Sequence, residues 1–183
     1  GPNSTDADAI TYRENFGSDR IYLVDPWVKV WDTETSTEIV RPASARVAGV
    51  IAKSDAERGF WHSPSNRLID GITGTARAID FTLGDATSRA NILNENEVTT
   101  IIQRDGYRLW GNRVPTADPK WQFLCVRRTA DVLNESIQRA HMWAVDRAIT
   151  KTYMDDVVEG VNGFIATLIA QGALLGGSCW ADP

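Results

Sequence analysis

The sequence predicts an α+β protein whose first part has the character of an α/β layer, and three observations carry that prediction. Short, continuously apolar runs near the start are followed by a helix. Strand-like runs joined by turn residues fill the middle. Two helices of amphipathic period close the chain.

Residues 7–16 have a weak helical pattern that Gly17 breaks. Ile21-Tyr22-Leu23-Val24 is uniformly apolar and ends at Asp25-Pro26, as a buried strand of a parallel or mixed sheet reads. Trp27-Val28-Lys29-Val30-Trp31 is a second run, closed by the polar stretch from Asp32 to Glu38. From Ser44 to Arg58 the spacing is helical, with Val47, Val50, Ile51 and Ser54 on one face and Gly59 as the stop. Residues 60–75 hold the turn signals Ser63-Pro64-Ser65-Asn66, Gly71 and Gly74, so the domain boundary is expected in or just after them. A strand over Ala78–Leu83 and a short helix over Thr87–Glu95 are expected next. Three strand-like runs follow, Val98–Gln103, Tyr107–Trp110 and Trp121–Val126, with Asp105-Gly106 turning the first two into a hairpin. Val132, Leu133, Ile137, Ala140 and Ala144 mark one terminal helix, and Met154, Val157, Val158, Val161, Phe164, Ile165 and Leu168 the other. Thr152, three residues before Asp155, is the expected N-cap of the second, and Gly172 ends it.

The 183 residues, 43% hydrophobic and 23% charged, suffice for a core without disulfides or metals. A formal net charge of −5 gives no basic field to hold nucleic acid. One local exception is the segment holding Arg104, Arg108, Arg113, Lys120, Arg127 and Arg128 against Asp105 and Asp118. It reads either as a basic patch for an acidic protein or as charge that keeps strand edges soluble. Residues 163–177, the longest apolar stretch, fall short of a membrane span, and no leader segment is visible. The opening Gly1-Pro2-Asn3-Ser4 resembles a cleaved expression scar, which makes an excised piece of a longer protein the expectation.

The search for chemistry returns little. Cys125 and Cys179 lack any metal-ligand spacing, and Cys125 reads as a small hydrophobe in a buried strand. The two histidines, His62 and His141, have no nucleophile motif beside them, and no G-x-S-x-G elbow occurs. Gly71-Ile72-Thr73-Gly74 lacks the lysine and spacing of a phosphate loop. No catalytic residue, cofactor or metal is assigned. The seven tryptophans have no shared spacing and suit packing and subunit contacts.

Four stretches together carry a resemblance. They are Tyr12-Arg13-Glu14-Asn15-Phe16 with residues 21–26; SARVAGVIAKSDAERGFWHSPSN over residues 44–66; LNENEVTTIIQRDGYRLWGNR over residues 93–113; and WQFLCVRRT over residues 121–129. The most specific patterns are A-G-x-x-A-x-x-D-x-x-x-G-x-W-x-S-P-S-N and G-Y-R-x-W-G-x-R. In this order they resemble the tail sheath proteins of contractile phages and R-type bacteriocins. The residues of this chain that match the signature are Trp61, Pro64, Asn66, Trp110, Gly111, Arg113, Arg127 and Arg128.

The resemblance implies the end of a subtilisin-like α/β domain over residues 7–75. A C-terminal α+β domain of mixed sheet and two long amphipathic helices follows over 76–183, without the C-terminal arm. It implies a structural subunit and no enzyme: a sheath that polymerises around an inner tube and contracts to drive it through a cell envelope. The implied partners are other sheath subunits in helically stacked rings, the inner tube protein and the baseplate, with neither nucleic acid nor membrane insertion. The implied location is a virion tail or bacteriocin particle assembled in a bacterial cytoplasm. Without its arms, which in the family add strands to neighbouring subunits, this piece alone is expected to be a monomer. Arg113, beside Trp110 and Gly111, is expected to stack on the indole or bond loop carbonyls. The alternatives are a hydrolase on a subtilisin-like core and a sheath component of a type VI secretion-like machine.

Overall fold

Helix α1 (Asp6–Arg13) starts in a reciprocal capping box, in which the Thr5 hydroxyl accepts from the Asp8 amide and the Asp8 carboxylate accepts from the Thr5 amide. The computed structural model to which it belongs describes residues 5–182, so the expected scar at residues 1–4 lies outside the described residues. Strand β1 (Val28–Asp32) falls in the second apolar run and turns back into β2 (Thr37–Arg41) in antiparallel register, Val30 opposite Ile39. The sequence reading closed the strand at Asp32 and missed β2. The turn explains the miss: the Asp32 carboxylate accepts from the Glu34 amide at 3.3 Å and the Thr35 hydroxyl at 2.7 Å, and Ser36 adopts φ 52°. The polar stretch is the hairpin turn itself. Two residues, Gly74–Thr75 (β3), pair with β1 from its other side.

Helix α2 (Ser44–Arg58) forms as expected and buries Val47, Val50 and Ser54, spaced three and four apart, with Ile51 packed partly against the same cluster. After α3 (Arg89–Glu95), strands β4 (Thr100–Gln103) and β5 (Tyr107–Trp110) make the expected hairpin, Ile102 opposite Arg108. Successive side chains of a strand point to opposite faces, and in β4 both faces are covered. Ile101 enters a cluster with Val28, Val47, Val50, Ile69 and Leu109, while Ile102 enters another with Ala9, Ile79, Ala90, Leu93 and Val98. Each of these isoleucines is worth about 2–3 kcal/mol of burial, so β4 is the strand that joins the two clusters.

Three expected strands are corrected. Residues 21–24 contribute one parallel bridge, Val24 to Thr99, and no ladder. Residues 78–83 form none, because their carbonyls are taken elsewhere: Ala78 O accepts from Arg89 Nη1 at 2.8 Å and Asp80 O from the Ala90 amide at 3.2 Å. The run 121–126 is mostly helical. A 3-10 turn over Pro119–Trp121 leads to a single bridge between Arg113 and Phe123, and α4 (Leu124–Ala140) begins at once. Cys125 is therefore half-buried in the first turn of α4, where Asn112 receives its amide, and is not a strand residue. Helix α5 (Lys151–Ala170) is capped by Thr150, whose hydroxyl accepts from the Tyr153 amide at 3.2 Å. The cap lies two residues before the expected Thr152.

The architecture is mixed α+β in two compact units, residues 1–127 and 128–183. The compact units do not divide near residue 75, since residues from both sides of that position fill both clusters. The second unit buries Val161, Ile165 and Leu168 of α5.

Candidate functional site

The two signature patterns, some 40 positions apart in sequence, interlock in the first unit. The segment from Asn66 to Ile69 lies antiparallel along the far side of β5. The Asn66 amide donates to Leu109 O at 2.6 Å, the Leu109 amide to Arg67 O at 2.9 Å, and the Ile69 amide to Tyr107 O at 2.9 Å. Asn66 takes φ 62°, a conformation asparagine tolerates better than most residues. Arg108 ties the segment further, donating to Asn66 O at 3.0 Å and Arg104 O at 2.9 Å. Pro64 is fully buried at its start.

Gly111 is the centre of the junction. Its amide donates to Ser65 Oγ at 3.0 Å and its carbonyl accepts from Tyr22 Oη at 2.8 Å. Burial of the Tyr22 hydroxyl raises its pKa above the ordinary tyrosine value. Asn94 donates to Trp110 O at 3.2 Å and Ala90 O at 2.9 Å. At φ 143°, a side chain on Gly111 would meet Asn94 Oδ1, Thr99 Oγ1 at 2.6 Å and Thr99 Cα at 3.0 Å. Sequence reading missed Tyr22, Asn94 and Thr99 here. From the sequence, Asn94 stands only as a residue of the short helix expected over Thr87–Glu95.

The other signature residues have separate roles. Trp61 lays its ring over the backbone of Gly59 and meets Phe60 edge-on at 5.0 Å. Trp110 packs against Phe81, ring centroids 4.6 Å apart. The ring beside Arg113 is Phe123 at 5.6 Å, not Trp110, and its hydrogen bond goes to Gln122 Oε1 at 3.2 Å instead of a loop carbonyl. Arg127, 8% exposed, stacks 4.0 Å over Trp121 and donates to Asp19 Oδ2 at 3.3 Å. Arg128 falls in the second unit. Several cations of the stretch 104–128 are thus engaged within the chain, which leaves less of a basic patch than the sequence offered.

A second cluster was not read from the sequence at all. Asp6 accepts from Arg77 Nε at 3.0 Å and Nη2 at 2.7 Å, and from Arg89 Nε at 2.6 Å and Nη2 at 3.0 Å. Arg77 also pairs with the buried Asp25. These residues come from four separate segments, so no local spacing could announce them.

Neither histidine has a catalytic setting. His62 Nδ1 lies 3.5 Å from Arg58 Nη2, and His141 Nδ1 lies 2.7 Å from Ile137 O in the last turn of α4. Among the described residues no group of three or more His, Cys, Asp or Glu is placed to hold a metal, and no helix is long and apolar enough to cross a membrane.

Comparison with known proteins gives two consecutive matches. The model of the phage tail sheath protein central domain matches residues 1–114, and that of the phage tail sheath C-terminal domain matches residues 116–183. A putative prophage major tail sheath protein of Pseudomonas aeruginosa (strain UCBPP-PA14) is 53% identical over 183 residues, covering 100% of this chain and 47% of the relative. The tail sheath protein of Escherichia phage P2 is 40% identical over 169 residues, 92% of this chain and 43% of that protein. The chain therefore spans just under half the length of these relatives. Among solved structures, the helical sheath of the anti-feeding prophage in its contracted state aligns with a TM-score of 0.77 at 27% identity, over 89% of this chain and 44% of that one. The contracted sheath complex of the PVC extracellular contractile injection system aligns at 0.79 and 22% identity, over 96% and 48%, a likeness of fold.

Proposed function

Because this chain belongs to the phage tail sheath family, we propose that it is the body of a structural subunit that polymerises around an inner tube and contracts to drive that tube through a cell envelope. The observation that carries the reading is the pair of sheath-domain matches, which run in order across the chain. Its partners in this reading are other copies in helically stacked rings, the tube protein and the baseplate, and its place is a phage or prophage tail. The interlocked signature residues supply a stiff body, and stiffness is what a lever-like subunit needs when its interfaces repack between two states. The subunit works without catalysis, and the contacts of His62 and His141 favour no hydrolase.

The subtilisin-like topology of the part before residue 75, and a division at that point, belong to the same proposal. Both concern how the sheet is completed in a protein of the relatives' length. A structure of that protein in which residues 7–75 do not extend a larger parallel sheet would remove them.

Assembly tests the main reading. A chain extended to the length of its relatives is expected to form tubes by electron microscopy. The 183-residue chain alone is expected to scatter light as a monomer at micromolar concentration. Failure of the extended chain to polymerise counts against the sheath reading. Tubes from the 183 residues alone would show that the body contacts suffice.

A further inference from the structure

We propose that α1 is a charge-fastened latch, which acid or salt releases as a unit while the body it covers stays folded.

The helix has little apolar grip. Among its eight residues only Ala9 is buried, and Ile10 packs partly against the second cluster. Beside it lies a cleft of about 480 Å³ whose lining includes Ala9, Tyr12, Leu23, Val24, Asp25 and Trp27. Charge holds both ends instead. Asp6 is gripped by Arg77 and Arg89 at distances of 2.6–3.0 Å, and Arg13 pairs with Glu97 just beyond α3. Hydrogen bonds from Arg89 and then Arg77 hold the Asp6 carboxyl below its ordinary range, against the opposing effect of partial burial.

The cations that hold Asp6 have other partners in the body. Arg77 keeps the buried Asp25, and Arg89 keeps Ala78 O at 2.8 Å and Asp80 at 3.8 Å. Losing Asp6 therefore strands no guanidinium, and the body has no electrostatic reason to open with the helix. The charged groups around Asp6 are thus Arg77 after β3, Arg89 at the head of α3, Asp25 behind Arg77, and Asp80 beside Arg89. A carboxyl whose folded pKa is depressed stabilises attachment fully above its unfolded value, near 4. The attachment is lost as pH falls through the lower folded value. Salt acts at neutral pH by screening pairs that are partly exposed, Asp6 at 22% and Arg89 at 39%.

Amide hydrogen exchange of the 183-residue chain at neutral pH reads the latch directly. Asp6→Asn, and separately Arg89→Gln, should speed exchange of the α1 amides by about tenfold or more, with those of β4 and β5 unchanged. In the unaltered chain 1 M salt should do the same to α1, and in Asp6→Asn it should add little. Selective loosening of α1 in either variant supports the latch. Exchange unchanged in both variants, or α1 and β4–β5 loosening in step, overturns it.

Discussion

Gly111 fixes how the two signature segments meet, and its backbone angle forbids a substitute. A Cβ there would press on Thr99 while φ stays in the left-handed region, so Gly111→Ala should cost about 2–3 kcal/mol in chemical denaturation. An unchanged midpoint would mean that Thr99 and Asn94 yield without cost. Arginines 113 and 127 separate by their partners. Arg127 is buried, stacked on an indole and paired with a carboxylate, and its loss leaves Asp19 with the exposed Arg20 at 3.6 Å. Arg127→Ala should destabilise by about 2–4 kcal/mol, and Arg127→Lys should recover little because an ammonium cannot stack flat. Arg113 bonds a neutral amide, so Arg113→Ala should cost about 1 kcal/mol. Equal losses in a thermal melt would contradict that ranking.

At the scale of elements, the terminal helix gives the sharpest check of where sequence reading goes astray. Thr152 has an acidic residue three positions on and Thr150 has none, yet the backbone shows that it is the Thr150 hydroxyl that faces the free amide of Tyr153. Thr150→Ala should lower stability of the second unit by about 1 kcal/mol, and Thr152→Ala by far less. The reverse order, read by circular dichroism, would place the helix start two residues later. Elements with strong local period were legible: α2 from Val47 and Val50, the β4–β5 hairpin from Asp105-Gly106. Elements decided by distant partners were not. Residues 121–126 have the apolar content of a strand, yet Asn112 caps them into a helix, with its carbonyl accepting from the Leu124 amide at 2.8 Å. The carbonyls of Ala78 and Asp80 go to α3, which removes a strand that composition alone would grant. The signature residues were named from resemblance, but the meeting of Ser65 with Gly111, and of Asp6 with two arginines, depends on tertiary placement that no spacing encodes.

At the scale of the molecule, the two units differ in how much they bury. The first has two apolar clusters joined through β4, whereas the second leaves Met142 at 66%, Ile149 at 81% and Trp180 at 73% exposed. Amides of α5 should therefore exchange roughly a hundredfold faster than those of β4 and β5, since local opening there uncovers less apolar area. Matching rates in the two units would show that they open together. The sheets differ too. The segment Asn66–Ile69 occupies the outer side of β5, so that edge of the ribbon is taken within the chain. Strand β2 lies at the margin of its sheet, exposed along Thr37, Glu38, Val40 and Arg41. Its two charges, Glu38 and Arg41, act as gatekeepers against fibrillar misassembly. In concentrated preparations, precipitation would be seeded at these five residues, and neutralising Glu38 and Arg41 would make clear solutions turn cloudy.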